Sequence, residues 1–246
     1  MNLTKQLIYP ISLILIILIF ACQNTPNSQS DDTQATEVTH PKDFANTPVI
    51  QEKIYQPSAE KLNILGFDTT QAIPQGLKQG ANAPVFRGVD QNGNTVSLKE
   101  RLTKGSVILI FYKGEWCGIC NRHLATYADS LDMIQQNGVS VIAITPEIAT
   151  NAKKTAQKTG LNIPIISDSD LTIMNAYGVT FNVNQDYQDK VRNFAKNDLT
   201  LMHSMNEAFL PVPATYIINP AGIISYVHFD HNYRNRPPVK ELLMSL

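Results

Sequence analysis

The stretch Phe111-Tyr112-Lys113-Gly114-Glu115-Trp116-Cys117-Gly118-Ile119-Cys120 decides how this chain is read. Its upstream end belongs to Val107–Tyr112, a continuous apolar run of the kind a strand shows when helices cover both its faces. Downstream, Cys120, Leu124, Tyr127, Leu131 and Ile134 recur at steps of four, three, four and three. That spacing predicts one amphipathic helix from Cys117, with Gly138 as its stop. The cysteines therefore stand where a strand hands over to a helix. A thiol at the first helical turn faces unpaired backbone N–H groups and the positive end of the helix dipole. Both favour thiolate, the nucleophilic form. Cys120 lies one turn further on the same face and belongs to the buried stripe. Cys117 is thus the candidate attacking sulfur and Cys120 the candidate resolving sulfur.

A C-x-x-C pair has other uses. Structural zinc requires four ligands. The chain has three cysteines in all, Cys22, Cys117 and Cys120, so a second pair is missing. His228-x-Asp230-His231 is the one other ligand-like cluster, and it sits at a strand end where polar residues are ordinary. No metal is expected. A purely structural disulfide is the remaining reading, and the strand–Trp116–Cys–helix context favours redox chemistry over it. No cofactor is expected either. The net charge is −1 and no basic run is present, which argues against a nucleic-acid partner.

Elements on either side follow the same logic. Short strands are predicted at 83–86 and 95–98, joined by turn chemistry at Asp90-Gln91-Asn92-Gly93. Beyond the pair come strands at 139–144 and 163–166, and helices at 148–158 and 171–177. A hairpin follows at 214–218 and 223–228 around Asn219-Pro220-Ala221-Gly222, then a last helix at 239–246. Strands alternating with helices and ending on a hairpin argue an α/β fold with a mixed central β-sheet flanked by helices. The segment 181–210 interrupts that order, holds a predicted helix at 186–196, and is long enough to suggest function.

These motifs resemble the thioredoxin superfamily, and within it the peroxiredoxin-like (AhpC/TSA) group. Gly80-Ala81-Asn82-Ala83-Pro84-Val85-Phe86 is similar to that group's opening. Phe111 to Cys117 resembles a branch running F-Y-basic-G-x-W-C. Pro211-Val212-Pro213-Ala214-Thr215-Tyr216-Ile217-Ile218 and Asp230-His231-Asn232-Tyr233-Arg234 resemble its later strand and its ending. The resemblance covers residues 80–246 and implies a thioredoxin-like fold with an inserted helical segment before the strand that follows Pro213. It implies that Pro213 is cis and lies against the reactive pair, and that Trp116 and Pro213 support the centre. It implies a thiol-dependent oxidoreductase that reduces a hydroperoxide or a protein disulfide and is recycled by a thioredoxin-like electron donor. A non-catalytic binding protein on the same fold is the third reading. Two positions depart from the patterns. Gly114 stands where typical peroxiredoxins carry Thr or Ser, and Phe111 stands where thioredoxins carry a buried Asp. Typical peroxiredoxins also place an Arg near the strand that here begins Val212-Pro213. Lys113 and Arg122 are expected at the solvated surface, with Glu115 pointing outward. His123 is expected to be exposed or satisfied, and His203 and Asn206 are candidates to approach the centre.

The N-terminus reads as an address. Lys5 precedes the apolar run Leu7–Phe20, which is shorter than the roughly 20 residues that a spanning helix needs. Ala21-Cys22 then resembles the lipobox of bacterial lipoproteins. The expectation is a signal peptide over 1–21, a flexible tether and N-terminal extension over 22–79, and a thioredoxin-like domain over 80–246. The chain would then be extracytoplasmic, in the cell envelope, lipid-anchored to a membrane through Cys22. The mature protein is expected to begin at an acylated Cys22, and Cys22→Ser to leave an unprocessed precursor. Intact-mass measurement checks this, and an unlipidated mature start elsewhere would contradict it.

Overall fold

The structure, a computed structural model, describes residues 57–204 and 206–246. The expected signal segment, Cys22 and the polar stretch after it lie outside those residues. In chain order the elements are α1 (Ala59–Leu65), β1 (Arg87–Val89), β2 (Thr95–Ser97), α2 (Leu98–Leu102) and β3 (Val107–Phe111). Next come α3 (Gly118–Ala128), α4 (Leu131–Gln136), β4 (Ser140–Thr145), α5 (Ala149–Thr159), β5 (Ile165–Ser167) and α6 (Thr172–Ala176). Then follow β6 (Thr180–Asn182), α7 (Gln185–Lys190), a π-helical turn (Val191–Ala195), α8 (Leu199–His203) and β7 (Phe209–Pro211). The chain closes with β8 (Ala214–Ile218), β9 (Ile224–Phe229) and α9 (Val239–Met244).

The main sheet has the order β5-β4-β3-β8-β9. β3 is parallel to β4 and antiparallel to β8, so the sheet is mixed, as the alternation of elements implied. β3 lies at its centre, and none of its five residues is more than 1% exposed. Strand alternation divides its side chains between two cores. Val107, Leu109 and Phe111 meet Leu98, Met174, Tyr177 and Tyr216 on one face. Ile108 and Ile110 meet Leu124, Tyr127, Ile134 and Leu242 on the other. Each such side chain, fully buried, contributes about 1.5–3 kcal/mol. This is the thioredoxin-like α/β fold.

Two local differences from the sequence reading have physical causes. The single helix expected from Cys117 to Gly138 is two, α3 and α4, with the break at Asp129 and Ser130. Short polar side chains of this kind favour helix ends over helix interiors. The apolar stripe survives the break, because Leu124, Tyr127 and Ile134 all reach the same core. The strand expected at 83–86 begins only at Arg87. Pro84 lacks an N–H, and Ala83 gives its own to the carbonyl of Gly222 rather than to a hairpin partner.

A third core joins the N-terminal extension to the inserted segment. Leu62, Leu65 and Phe67, from before Gly80, pack with Phe181, Val183, Tyr187, Leu210 and Val212 from the inserted segment. Phe67 stacks on Phe181 with ring centroids 3.9 Å apart, and its backbone bridges Val183. Packed structure therefore reaches back beyond Gly80, because the apolar face of α1 is covered by the insertion. Trp116 borders this cluster as well as the α3 core. Among the described residues, no helix is long and apolar enough to cross a membrane.

Candidate active site

Cys117 is the residue that caps α3. Its Sγ accepts the backbone N–H of Cys120 at 3.2 Å, and its own N–H donates to the carbonyl of Gly114 at 3.1 Å. The sulfur thus takes one of the donors that a helix start leaves unpaired. Cys117 and Cys120 are joined by a disulfide, with Cα atoms 5.2 Å apart. Cys117 is 5% exposed and Cys120 1%, so the outer sulfur is the one that solvent touches more. Trp116 is half-buried beside them, and its indole Nε1 is buried without a hydrogen-bond partner. Pro213 is buried immediately before β8. The antiparallel register pairs Ile110 with Thr215, so Pro213 comes to the sheet end at which β3 releases the cysteine loop.

The geometry can be set beside known proteins. A family model described as the AhpC/TSA family matches residues 79–227, more than half of the chain. This chain belongs to the AhpC/TSA family. It is 24% identical over 162 residues to the thiol-disulfide oxidoreductase ResA of Bacillus subtilis, a match covering 64% of this chain and 73% of that protein. It is 29% identical over 103 residues to the peroxiredoxin Bcp of Escherichia coli, covering 42% of this chain and 65% of that one. Among solved structures, the peroxidoxin BcpB of Mycobacterium tuberculosis superposes with a TM-score of 0.53 at 18% identity, over 69% of this chain and 96% of that one. That likeness is one of fold.

In this AhpC/TSA chain the glycine before the tryptophan has a structural reason. Gly114 sits at φ +150°, and a Cβ there would stand 2.6 Å from the Glu147 carboxyl carbon and 2.8 Å from the Trp116 indole nitrogen. A Thr or Ser cannot occupy that place without displacing both. Glu147 follows Pro146 just beyond β4 and is 0% exposed. Its Oε2 accepts the backbone N–H of Glu115 at 2.7 Å, while its Oε1 has no partner. Burial pushes its carboxyl up to about 8, against the lowering effect of that N–H bond. Glu115 pairs with Lys158 of α5, and its side chain is 13% exposed, so it is largely covered rather than turned out to solvent as expected.

Lys113 corrects an expectation. It is 1% exposed rather than solvated. Its ammonium lies 3.9 Å over the Tyr233 ring and 4.8 Å over the Tyr187 ring, and donates to the Tyr187 hydroxyl at 3.2 Å. Burial, with the charges of Arg236 and Arg234, holds its pKa well below the usual lysine range. The rings come from the insertion and from the D-x-x-Y-R ending, so no local pattern foretold them. Arg122 is exposed, as expected. His123 is half-buried edge-on to Tyr127, and burial pulls its pKa down to about 4. His203 is buried on α8 and Asn206 is exposed; neither forms a described contact with the cysteines. His228 and His231 bind different backbone carbonyls, those of Asn235 and Pro74.

Glu147 and Arg236 were not singled out from the sequence. Arg236 Nη2 stands 3.8 Å from the Cys120 sulfur. The signal for Glu147 was present: a carboxylate two residues past an apolar strand, at the sheet end that carries the centre.

The titration of Glu147 makes a prediction. Its carboxyl titrates near 8 in the folded chain and near 4.5 when free. Between those values the unfolded chain releases a proton that the folded chain keeps, so this group destabilises the fold as pH rises from about 4.5 to 8. Glu147→Gln keeps an oxygen for the Glu115 N–H and removes the titration. Urea unfolding at pH 5 and pH 8 is expected to show the variant gaining on the parent at the higher pH. A stability difference that is the same at both would contradict the assignment.

Proposed function

We propose that this AhpC/TSA chain is a thiol-dependent peroxidase of peroxiredoxin type in which Cys117 is the peroxide-attacking sulfur and Cys120 the resolving one. The observation that carries this reading is the placement of Cys117: it caps α3, its sulfur meets a helix-start N–H, and the protein leaves it 5% exposed. A hydroperoxide is small enough to reach such a sulfur. The Cys117 thiolate attacks the outer oxygen, the O–O bond breaks, and the alcohol or water leaves with a proton, giving Cys117 sulfenic acid. The Cys120 thiol condenses with it, releasing water and forming the disulfide. The disulfide is then reduced by an external dithiol of the thioredoxin type. Trp116 and Pro213 support the pair by packing at the same end of the sheet.

A second reading, a disulfide reductase acting on proteins outside the cytoplasm, has a specific observation in its favour. Gly114 leaves no room for the side-chain hydroxyl that would bind peroxide oxygen. The likeness to ResA points the same way. In either reading the chain is a thiol-dependent oxidoreductase. The proposal also includes a signal peptide at 1–21, a flexible tether and N-terminal extension at 22–79 and a thioredoxin-like domain at 80–246, with acylated Cys22 as a membrane anchor in the cell envelope. Lys5, the apolar run and Ala21-Cys22 support it.

A single-turnover experiment separates the two readings. The reduced Cys120→Ser protein is expected to consume one equivalent of hydrogen peroxide and stop as a sulfenic acid that dimedone traps. Peroxide loss no faster than with a free thiol, together with protein mixed disulfides accumulating on Cys117 in the native envelope, would transfer the assignment to the reductase.

A further inference from the structure

The oxidised centre conceals a requirement that appears on reduction. When a donor thiolate attacks the Cys117 sulfur, the S–S bond breaks and its electron pair leaves on Cys120. The same anion is needed in the other direction, when Cys120 attacks Cys117. Cys120 is 1% exposed, on the inner side of α3. A desolvated thiolate is costly unless a cation or donors meet it. Thioredoxins handle this with a buried Asp, and here that place is Phe111, inside the core. Glu147 forms no described contact with either sulfur: one oxygen accepts the Glu115 amide and the other has no hydrogen-bond partner.

The group in contact with Cys120 is Arg236. Its Nη2 lies 3.8 Å from Sγ, within reach of a hydrogen bond to sulfur. Its Nε is buried and has no hydrogen-bond partner, so the guanidinium keeps donor capacity that the oxidised state leaves unmet. The arm that carries it is organised. Asp230 accepts the Asn232 N–H and the Asn235 side-chain amide, both at 2.7 Å, and His228 binds the Asn235 carbonyl at 3.2 Å. Pro237 and Pro238 then restrict the chain into α9.

We propose that Arg236 is a catalytic residue, the charge partner of the Cys120 thiolate, serving both its departure when the disulfide is reduced and its attack when the disulfide forms. The proposal rests on the redox reading of the pair but not on which substrate oxidises it. The groups around the guanidinium fit the role. Burial lowers its pKa only to about 10, so it is a cation at neutral pH. His123, with its pKa near 4, is neutral there, and burial raises the Tyr127 phenol, so neither competes as an ion. Of the groups that act on Arg236, Tyr127 is a neutral phenol and Asp230 supplies acidic charge, while Arg236 and Arg234 act in turn on Lys113, whose pKa burial and these two charges hold well below the usual lysine range.

Two measurements on the full-length protein test this without choosing between peroxide and protein disulfide. In a Cys117→Ser background, thiolate ultraviolet absorbance, taken as the difference from the protein that also carries Cys120→Ser so that Cys22 cancels, reports the titration of Cys120 with Arg, Lys or Gln at position 236. In the protein that keeps both Cys117 and Cys120, dithiothreitol opens the disulfide and the rate is followed. Arg236→Gln is expected to raise the Cys120 midpoint by about 1 to 3 pH units, as removal of a neighbouring opposite charge does. It is also expected to slow disulfide opening about three- to tenfold, because a worse leaving thiolate leaves later. Arg236→Lys keeps the charge and is expected to restore most of both. An unchanged midpoint and opening rate in Arg236→Gln would overturn the proposal, as would an Arg236→Lys that behaves like Gln while unfolding at the parent's temperature. Loss of peroxide consumption with these two results intact would count against the peroxidase reading alone.

Discussion

The centre depends on one constraint: a sulfur must serve as the cap of a helix whose other face is buried. Cys117 can hold its place because α3 is fixed by Leu124 and Tyr127 against the central strand, and β3 is fixed by sheet neighbours on both edges. The strand end and the helix start are then a few residues apart, with Gly114 at a positive φ making the turn between them. Nothing in this arrangement is particular to one oxidant. The helix start favours a thiolate at position 117, and the spacing of one turn brings Cys120 within bonding distance.

The surroundings treat the two sulfurs differently. Cys117 meets a backbone N–H and a little solvent, whereas Cys120 meets a guanidinium and the core. The loop between strand and helix is held from two sides. Glu147 grips the Glu115 backbone from the β4 end, and Lys113 is gripped by Tyr187 and Tyr233. Through these tyrosines the inserted segment and the chain's ending are packed against the same loop. An insertion that buries its own apolar residues with Phe67 and also cages a lysine next to the cysteines contributes to the centre as well as to the surface.

What could be read in the sequence was local and periodic. The stripe from Cys120 to Ile134 and the unbroken run from Val107 predicted the elements that flank the centre, since burial imposes periods of 3.6 and continuous apolarity on contiguous residues. The turn at Asp90–Gly93 and the hairpin around Asn219–Gly222 were legible for a different local reason, the Asn, Asp, Pro and Gly residues that turns favour. Contacts between residues far apart in the chain were not. Lys113 has the composition of a surface residue, and only the arrival of rings from 187 and 233 makes it a buried one. Arg236 sits among polar neighbours in an unremarkable Arg-Asn-Arg-Pro-Pro stretch, and its distance from Cys120 is 116 residues along the chain. The break at Asp129-Ser130 was masked because the apolar stripe continues through it.

Competition between the two thiols decides whether the capping sulfur attacks and the inner one resolves. The fully reduced protein is treated at neutral pH with less than one equivalent of an alkylating reagent, and the labelled cysteine is located by mass spectrometry of its peptides. Cys117 is expected to carry most of the label, because it lies at the helix start and is the more accessible. Preferential labelling of Cys120 would contradict it and reverse the roles of the pair.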